Sequence, residues 1–395
     1  IRARTRMPDP QGSNELRFNL IGGTGLDQLG AAAEATTGLF GGGFMLGAHY
    51  RDYDDYESPE STVFNSSSEM LGFRTGWQAA VFNGIFHVGW RTDEARDVGK
   101  PTPNSEIRRV YYPEERSNRL GLGFERPGPG RWNRLSLTFG WDDYSLTLAK
   151  DRFATDTSPR DVAESQVDAN DFSVRADAER PLGDWRMVLG ADVNGRYNLG
   201  AVNEYSTFGD DGEAVEFERE VSIENAYGTD LGVFLSLGRG LGRWNLDFGL
   251  RGDGVWSANR GGYFGDLNTY NSAFSGFAAA GFELTPDLEL TAQVARGFRD
   301  PLLSDRYYRG ESGRGFITGN PDLEPETSLQ FDLALRFSPD SMAIGLYVYR
   351  YRIYDLIERF REGENFFFRN RGESEITGVE VETSFVIGNG LELHA

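Results

Sequence analysis

Strict two-residue alternation recurs along this chain from end to end, accompanied by a second alternation, of short and long connections. "LSLTFGW" places Leu135, Leu137, Phe139 and Trp141 on one face, and "WNLDFGL" does the same with Trp244, Leu246, Phe248 and Leu250. "LELTAQV" contributes Leu288, Leu290, Ala292 and Val294, and "GVEVETSF" contributes Val379, Val381 and Phe385. In "GNPDLEPETSLQFDLALRF" a proline-rich box gives way to Leu329, Phe331, Leu333, Leu335 and Phe337. A period of two sustained over about ten residues, with one apolar face, marks a half-exposed β-strand.

The connections decide what such strands build. Tight turns fall at "GLFGG" near Gly38, "FNG" at Phe82, "RPGPGR" at Arg126, "PLGD" at Pro181, "GRGLG" at Gly238, "TPD" at Thr285, "SPD" at Ser338 and "GNG" at Gly388. Between them lie stretches that read as long polar loops. They are "DYDDYESPESTVFN" from Asp52, the run from Asp93 to Pro113, "DRFATDTSPRDVAES" from Asp151 and "GAVNEYSTFGDDGEAVEFE" from Gly200. The series continues with "NRGGYFGDLN" from Asn259, "RDPLLSDRYYRGESGRGFITGNPDLEP" from Arg299 and "ERFREGEN" from Glu358.

In a membrane barrel every second connection lies on the same side, and bacterial outer-membrane barrels have tight periplasmic turns and long external loops. A soluble sandwich has no cause to keep that order. Closure also lets half-polar strands exist in lipid, because each backbone group is paired around the ring. The chain therefore reads as all-β, a transmembrane antiparallel β-barrel with about sixteen full strands and the start of another at "LELHA". It stops at Ala395 in mid-strand, which reads as an incomplete C-terminus.

Composition agrees with that class. The 395 residues suffice for one large barrel. Mean hydropathy is −0.48, and no run approaches the roughly 18–20 apolar residues of a membrane helix. Fifty glycines and 13% aromatic residues favour strands with tight turns. The absence of cysteine excludes disulfides, zinc–thiolate sites and cysteine nucleophiles. His49, His87 and His394 are far apart, which leaves few candidates for a metal site, so none is assigned. The net charge of −21 argues against a nucleic-acid partner. Carboxylate pairs are uninformative in so acidic a chain, and no phosphate-binding glycine loop appears, so the chain reads as no enzyme and is given no cofactor.

The proline box makes the reading specific. "GFRDPLLSDRYY", from Gly297 to Tyr308, followed by "GNPDLEPETSLQFDLAL", resembles the signature pair in the barrels of TonB-dependent outer-membrane receptors. "FRNRGESEITGVEVETSF" is similar to their N-x-G-x-x-x-x-x-G-V-E stretch through Asn370, Gly372, Gly378, Val379 and Glu380. "IRARTR" at Ile1 resembles the end of their plug domain. The resemblance implies a barrel of roughly 22 strands around an N-terminal plug, with residues 1–13 as plug-to-barrel junction and 14–395 as barrel. It further implies a TonB box and coupling to the TonB–ExbB–ExbD complex. The plug, the box and about five strands of that plan lie outside this sequence. The location implied is the outer membrane of a Gram-negative-type bacterium, among lipid and lipopolysaccharide. The cargo implied is a scarce nutrient, with a ferric siderophore foremost.

Two basic clusters are candidates for gripping such a ligand. Arg299, Arg306, Tyr307, Tyr308, Arg309 and Arg314 occupy the longest loop, and Arg359 and Arg361 a later one. Arginine's planar fork suits carboxylates and catecholates. The same arginines could instead pair with acids on neighbouring strands or with lipid head groups, and the tyrosines could belong to an interfacial aromatic girdle. Asn320, Pro321, Pro325 and Glu326 read as a structural motif that starts the descending strand in register, with Glu326 paired to Arg299 or another arginine. The acidic stretches "RDYDDYESPE" and "EYSTFGDDGEAVEFERE" offer calcium-type oxygens but no calcium-loop spacing. Haem is disfavoured, since no histidine lies between Gly297 and Leu323. A passive porin of about sixteen strands and a non-transporting surface-binding or assembly protein are the alternatives.

Overall fold

A computed structural model of the chain describes residues 6–24, 28–102, 107–155, 158–387 and 391–394. The first five residues of the expected junction, the "GNG" turn and Ala395 lie outside the described residues. The strands are β1 (Glu15–Gly23), β2 (Gln28–Leu39), β3 (Gly42–Tyr53), β4 (Ser68–Val81), β5 (Gly84–Gly99), β6 (Arg108–Arg126) and β7 (Arg134–Arg152). They continue with β8 (Arg160–Leu182), β9 (Trp185–Phe208), β10 (Ala214–Leu241), β11 (Trp244–Arg260), β12 (Asp266–Thr285) and β13 (Leu288–Arg299). A short helix α1 (Leu303–Tyr307) and a hairpin of β14 (Arg309–Ser312) and β15 (Gly315–Thr318) precede β16 (Glu326–Phe337), β17 (Met342–Glu362), β18 (Asn365–Ile387) and β19 (Leu391–His394).

All of these strands join one 19-stranded sheet. Each pairs antiparallel with the next in chain order up to β13, which pairs with β16, and the ladder runs on through β17 and β18 to β19. Setting aside β14 and β15, which belong to a loop, sixteen long strands and the four-residue β19 remain, as the alternation implied. The first strand, β1, pairs only with β2 among the described residues, and all its side chains are exposed.

Register turns the alternation into an apolar band. Leu290, Leu335, Leu346 and Val381 are successive cross-strand neighbours. Two residues further along, Ala292, Leu333, Val348 and Val379 form a parallel row. Leu333 and Val379 remain 46% and 65% exposed, so this face meets lipid rather than protein. The opposite face is polar and laced with ion pairs, within strands and across them. Arg251 meets Asp192 at 2.7 Å and Asp253 at 2.6 Å, Arg134 meets Asp177 at 2.7 Å, and Arg119 meets Asp142 at 2.8 Å. This inner face encloses a cavity of about 1600 Å³, which His87 helps to line. Residues before β1 run along the same wall. Arg6 pairs with Glu34 at 2.6 Å, and Gln78 Nε2 donates to the Pro8 carbonyl at 3.1 Å. The chain passes so close to β3 that a Cβ on Gly43 would fall 2.0 Å from the Asp9 carbonyl oxygen.

The tight connections follow turn chemistry. Phe40 and Gly41, and likewise Phe82 and Asn83, all take positive φ, as a two-residue hairpin of the primed type requires. At the other end, three expected long loops are in fact short. Half or more of each of the runs from Gly200, Asn259 and Glu358 is strand, with only 209–213, 261–265 and 363–364 outside it. Beyond the lipid both faces of a hairpin meet water. Backbone pairing then continues without an apolar face, and the period-two signal that reveals a strand is lost.

Candidate ligand site at the long-loop mouth

The connection between β13 and β16 is a folded strap across the mouth. It starts against the inner wall of β8, β9 and β10, where Tyr307 is fully buried in a cluster with Ala169, Leu199, Ala201, Ile223 and Ala226. It then turns toward β18, where β15 pairs in parallel with Asn365, Phe366 and Phe367.

Polar contacts fix the strap to the wall. Asn203 is fully buried; its Nδ2 donates to the Arg309 carbonyl at 2.7 Å and its Oδ1 accepts from Ser165 Oγ at 2.8 Å. The Arg309 amide donates to Ser222 Oγ at 2.7 Å. Its guanidinium pairs with Glu220 at 2.7 Å and lies 4.4 Å from the centroid of Tyr263. Lys150 pairs with Glu311. Tyr308 Oη shares a 2.7 Å hydrogen bond with Ser165 Oγ, and burial pushes this phenol up to about 12. Burial likewise raises the Asp300 carboxyl, opposed by a 2.6 Å bond from Asn271 Nδ2 and by the charges of Arg306 and Arg299.

The base of the strap is held from within. Arg299 pairs with Asp305 at 2.7 Å and with Glu326 at 3.3 Å. Arg306, 1% exposed, donates through Nη1 to the Pro321 carbonyl at 2.8 Å. Asn320 Nδ2 donates to the Phe368 carbonyl at 3.1 Å, and the Asn320 Oδ1 accepts from the Asp322 amide at 3.0 Å. Glu326 Oε1 accepts from the Ile357 amide at 2.6 Å. Just before Pro325, the Glu324 amide donates to Asn370 Oδ1 at 2.8 Å, while Asn370 Nδ2 returns a bond to the Glu324 carbonyl at 2.9 Å.

Of the eight residues that the sequence offers for ligand contact, Arg299, Arg306, Tyr307, Tyr308 and Arg309 thus spend their polar groups or their bulk on the strap itself. Two further cations stand beside Phe366, and a third is the chain neighbour of a glycine that abuts the same ring. Arg359 lies 5.0 Å from the Phe366 ring centroid, and Arg361 is the cross-strand partner of Phe366. The same ring abuts Gly315, so close that a Cβ there would fall 2.7 Å from it, and Arg314 is the exposed neighbour of Gly315 at the tip of the β14–β15 hairpin. Arg361 is exposed and, among the described residues, its side chain bonds only to the Gly363 carbonyl, at 2.7 Å. The other arginines of this region are paired with acids on adjacent strands: Arg350 with Glu375 at 2.8 Å, Arg352 with Glu375 at 3.1 Å, and Arg369 and Arg371 with Glu358 at 3.0 and 2.7 Å. Asn203, Ser222 and Ser165 do not stand out in the sequence, and Glu220 stands out only as one acid of an acidic stretch. They are common polar residues on distant strands, and only the register joins them.

Comparison with known proteins identifies the fold. Residues 50–391 match the family model described as TonB dependent receptor-like, beta-barrel. A stretch of 127 residues is 29% identical to the vitamin B12 transporter BtuB of Vibrio vulnificus, covering 32% of this chain and 19% of that protein. Another of 149 residues is 31% identical to the iron-regulated outer membrane virulence protein of Vibrio cholerae, covering 34% and 23%. The structure of the copper transporter OprC superposes with a TM-score of 0.79 at 17% identity, over 98% of this chain and 61% of that one. The chain therefore spans less than two thirds of each of these relatives. With the family model matched over most of its length, it belongs to the TonB-dependent receptor β-barrel family and is a multi-pass strand barrel of the outer membrane.

Proposed function

We propose that the protein captures an anionic ferric siderophore at its external mouth and passes it through the barrel to the periplasm. The observation that carries this reading is the pair Arg359 and Arg361 beside Phe366 at the mouth, with Arg314 adjoining the Gly315 that abuts the same ring, and no carboxylate paired to any of the three among the described residues. In a chain of net charge −21, cations left without counter-charge are poised for an anion. The acid-paired Arg350, Arg352, Arg369 and Arg371 stand on the same two strands and suit contact with lipopolysaccharide head groups. Residues 1–13 serve as the junction with a plug, and the plug engages the TonB–ExbB–ExbD complex. The relatives support import of a scarce nutrient; they differ in cargo, vitamin B12 for one and copper for another, so the siderophore rests on the site's charge.

Uptake tests this. Cells whose only receptor is the full-length protein should accumulate radioactive iron from a ferric catecholate siderophore, and a protonophore should stop it. Accumulation of cobalamin or copper but not iron would overturn the siderophore. Uptake indifferent to the protonophore would instead favour the passive porin.

The proline box has a structural role here. Pro321 fixes a turn closed by the Leu323 amide on the Asn320 carbonyl, and Pro325 biases Glu324 to an extended conformation, while Asn320, Glu324 and Glu326 bond to β17 and β18. Replacing both prolines by alanine should reduce the assembled, heat-modifiable barrel several-fold, about 1 kcal/mol of lost preorganisation. Full assembly with lost ligand binding would assign the box to the ligand instead.

A further inference from the structure

The hairpin of β9 and β10 rises above the lipid band, and its top has an open edge. On one side β10 pairs with β9 from Ala214 onward. On the other it pairs with β11 only from Tyr227. The β11–β12 turn closes the edge at its lower end, where the Tyr263 amide donates to the Ser222 carbonyl at 3.2 Å and Ile223 bridges Gly262. Above that point residues 214–221 have no backbone partner on this edge among the described residues.

Both faces of this edge are also open. Phe217 is 60% exposed on one face, and Val215, the bulged residue, is 66% exposed. Glu216 and Glu218 are exposed on the other, with no ion pair or side-chain bond among the described residues. Arg219, the single cation of the tip, pairs with Glu204 at 3.3 Å. The hairpin end adds Asp210, Asp211 and Glu213, so the charge left over is wholly negative.

Sheet proteins usually guard such an edge with proline, lysine or shortness. Here the edge runs about 27 Å without a proline or a lysine, and a single bulge within it, at Ala214/Glu216, falls at its upper end. Its acids repel a second copy of the same strand, since like charges would stand opposite one another. The same acids favour a strand of opposite charge.

We propose that residues 214–221 are a strand-addition site for an extended, cationic polypeptide segment. Main-chain hydrogen bonds to the edge would supply affinity. Lysine or arginine at alternate positions would meet Glu216 and Glu218, while apolar positions would cover Val215 and Phe217. This site is separate from the cation cluster at Phe366, and it stands or falls independently of the cargo.

The test uses the intact protein in outer-membrane vesicles and a ten-residue peptide of alternating lysine and valine. The peptide should bind and protect the amides of 214–221 from hydrogen exchange. Methylating alternate peptide nitrogens in one of the two possible registers should weaken binding about tenfold or more, since several main-chain bonds are lost. Glu216→Lys with Glu218→Lys should weaken it comparably, and Glu216→Gln with Glu218→Gln serves if the lysine variant fails to assemble. Equal binding of both methylated peptides would reduce the effect to charge attraction and overturn the site. So would failure of the parent peptide to bind, or binding without protection at 214–221.

Discussion

Replacing Tyr307 by alanine should release the strap from the mouth while leaving the barrel assembled. The side chain is fully buried among residues of β8, β9 and β10, and deleting a buried aromatic ring typically costs about 3–5 kcal/mol. That loss falls on a segment held to the wall by few other apolar contacts, Leu303 and Tyr308 chief among them. Trypsin added to intact cells should then cut after Arg306 or Arg309, which the native strap protects through burial of Arg306 and the pairing of β14 with β15. Tyr307→Phe should behave as wild type, because the Tyr307 hydroxyl has no hydrogen-bond partner among the described residues. Trypsin resistance equal to wild type in the alanine variant would show that polar contacts alone, such as Asn203 to Arg309, hold the strap.

A charge placed on the lipid face should act on the barrel itself. Leu333 stands in the apolar band beside Ala292 and Val348, and it is half exposed because its neighbour is lipid. Leu333→Arg should lower stability by about 2–4 kcal/mol, the cost of arginine near the bilayer centre. Gln330→Lys, on the inner face with Asp332, should be far milder, because that face is polar and already carries ion pairs. The urea midpoint of heat-modifiable mobility reads both. Equal effects would mean that the two faces of β16 have been interchanged.

These two variants also mark what the sequence makes legible. The lipid face of β16 is written plainly, because every second residue from Leu329 to Phe337 must be apolar to meet lipid. The tight turns are equally plain, since glycine and asparagine mark positive φ at Gly41 and Asn83. Hairpins beyond the lipid read as loops in sequence because no apolar face is needed there to keep β9, β10, β17 and β18 paired. The strap is the harder case. Tyr307 and Arg306 look like surface ligands in a polar run, and nothing local says that the run folds inward onto Ile223 and Ala226. Its partners lie far away in sequence on other strands, as with Asn203 and Arg309. Arg359 and Arg361 are legible as charge, but the approach of the Arg314–Gly315 turn to Phe366 depends on β15 pairing with β18.

Equilibrium binding of a ferric catecholate siderophore to outer membranes bearing the full-length receptor tests the central claim most directly. Arg359→Glu with Arg361→Glu should weaken binding about a hundredfold or more, through two lost charge-assisted contacts, while heat-modifiable mobility stays as in wild type. Unchanged affinity in that double variant would contradict anion capture at this cluster.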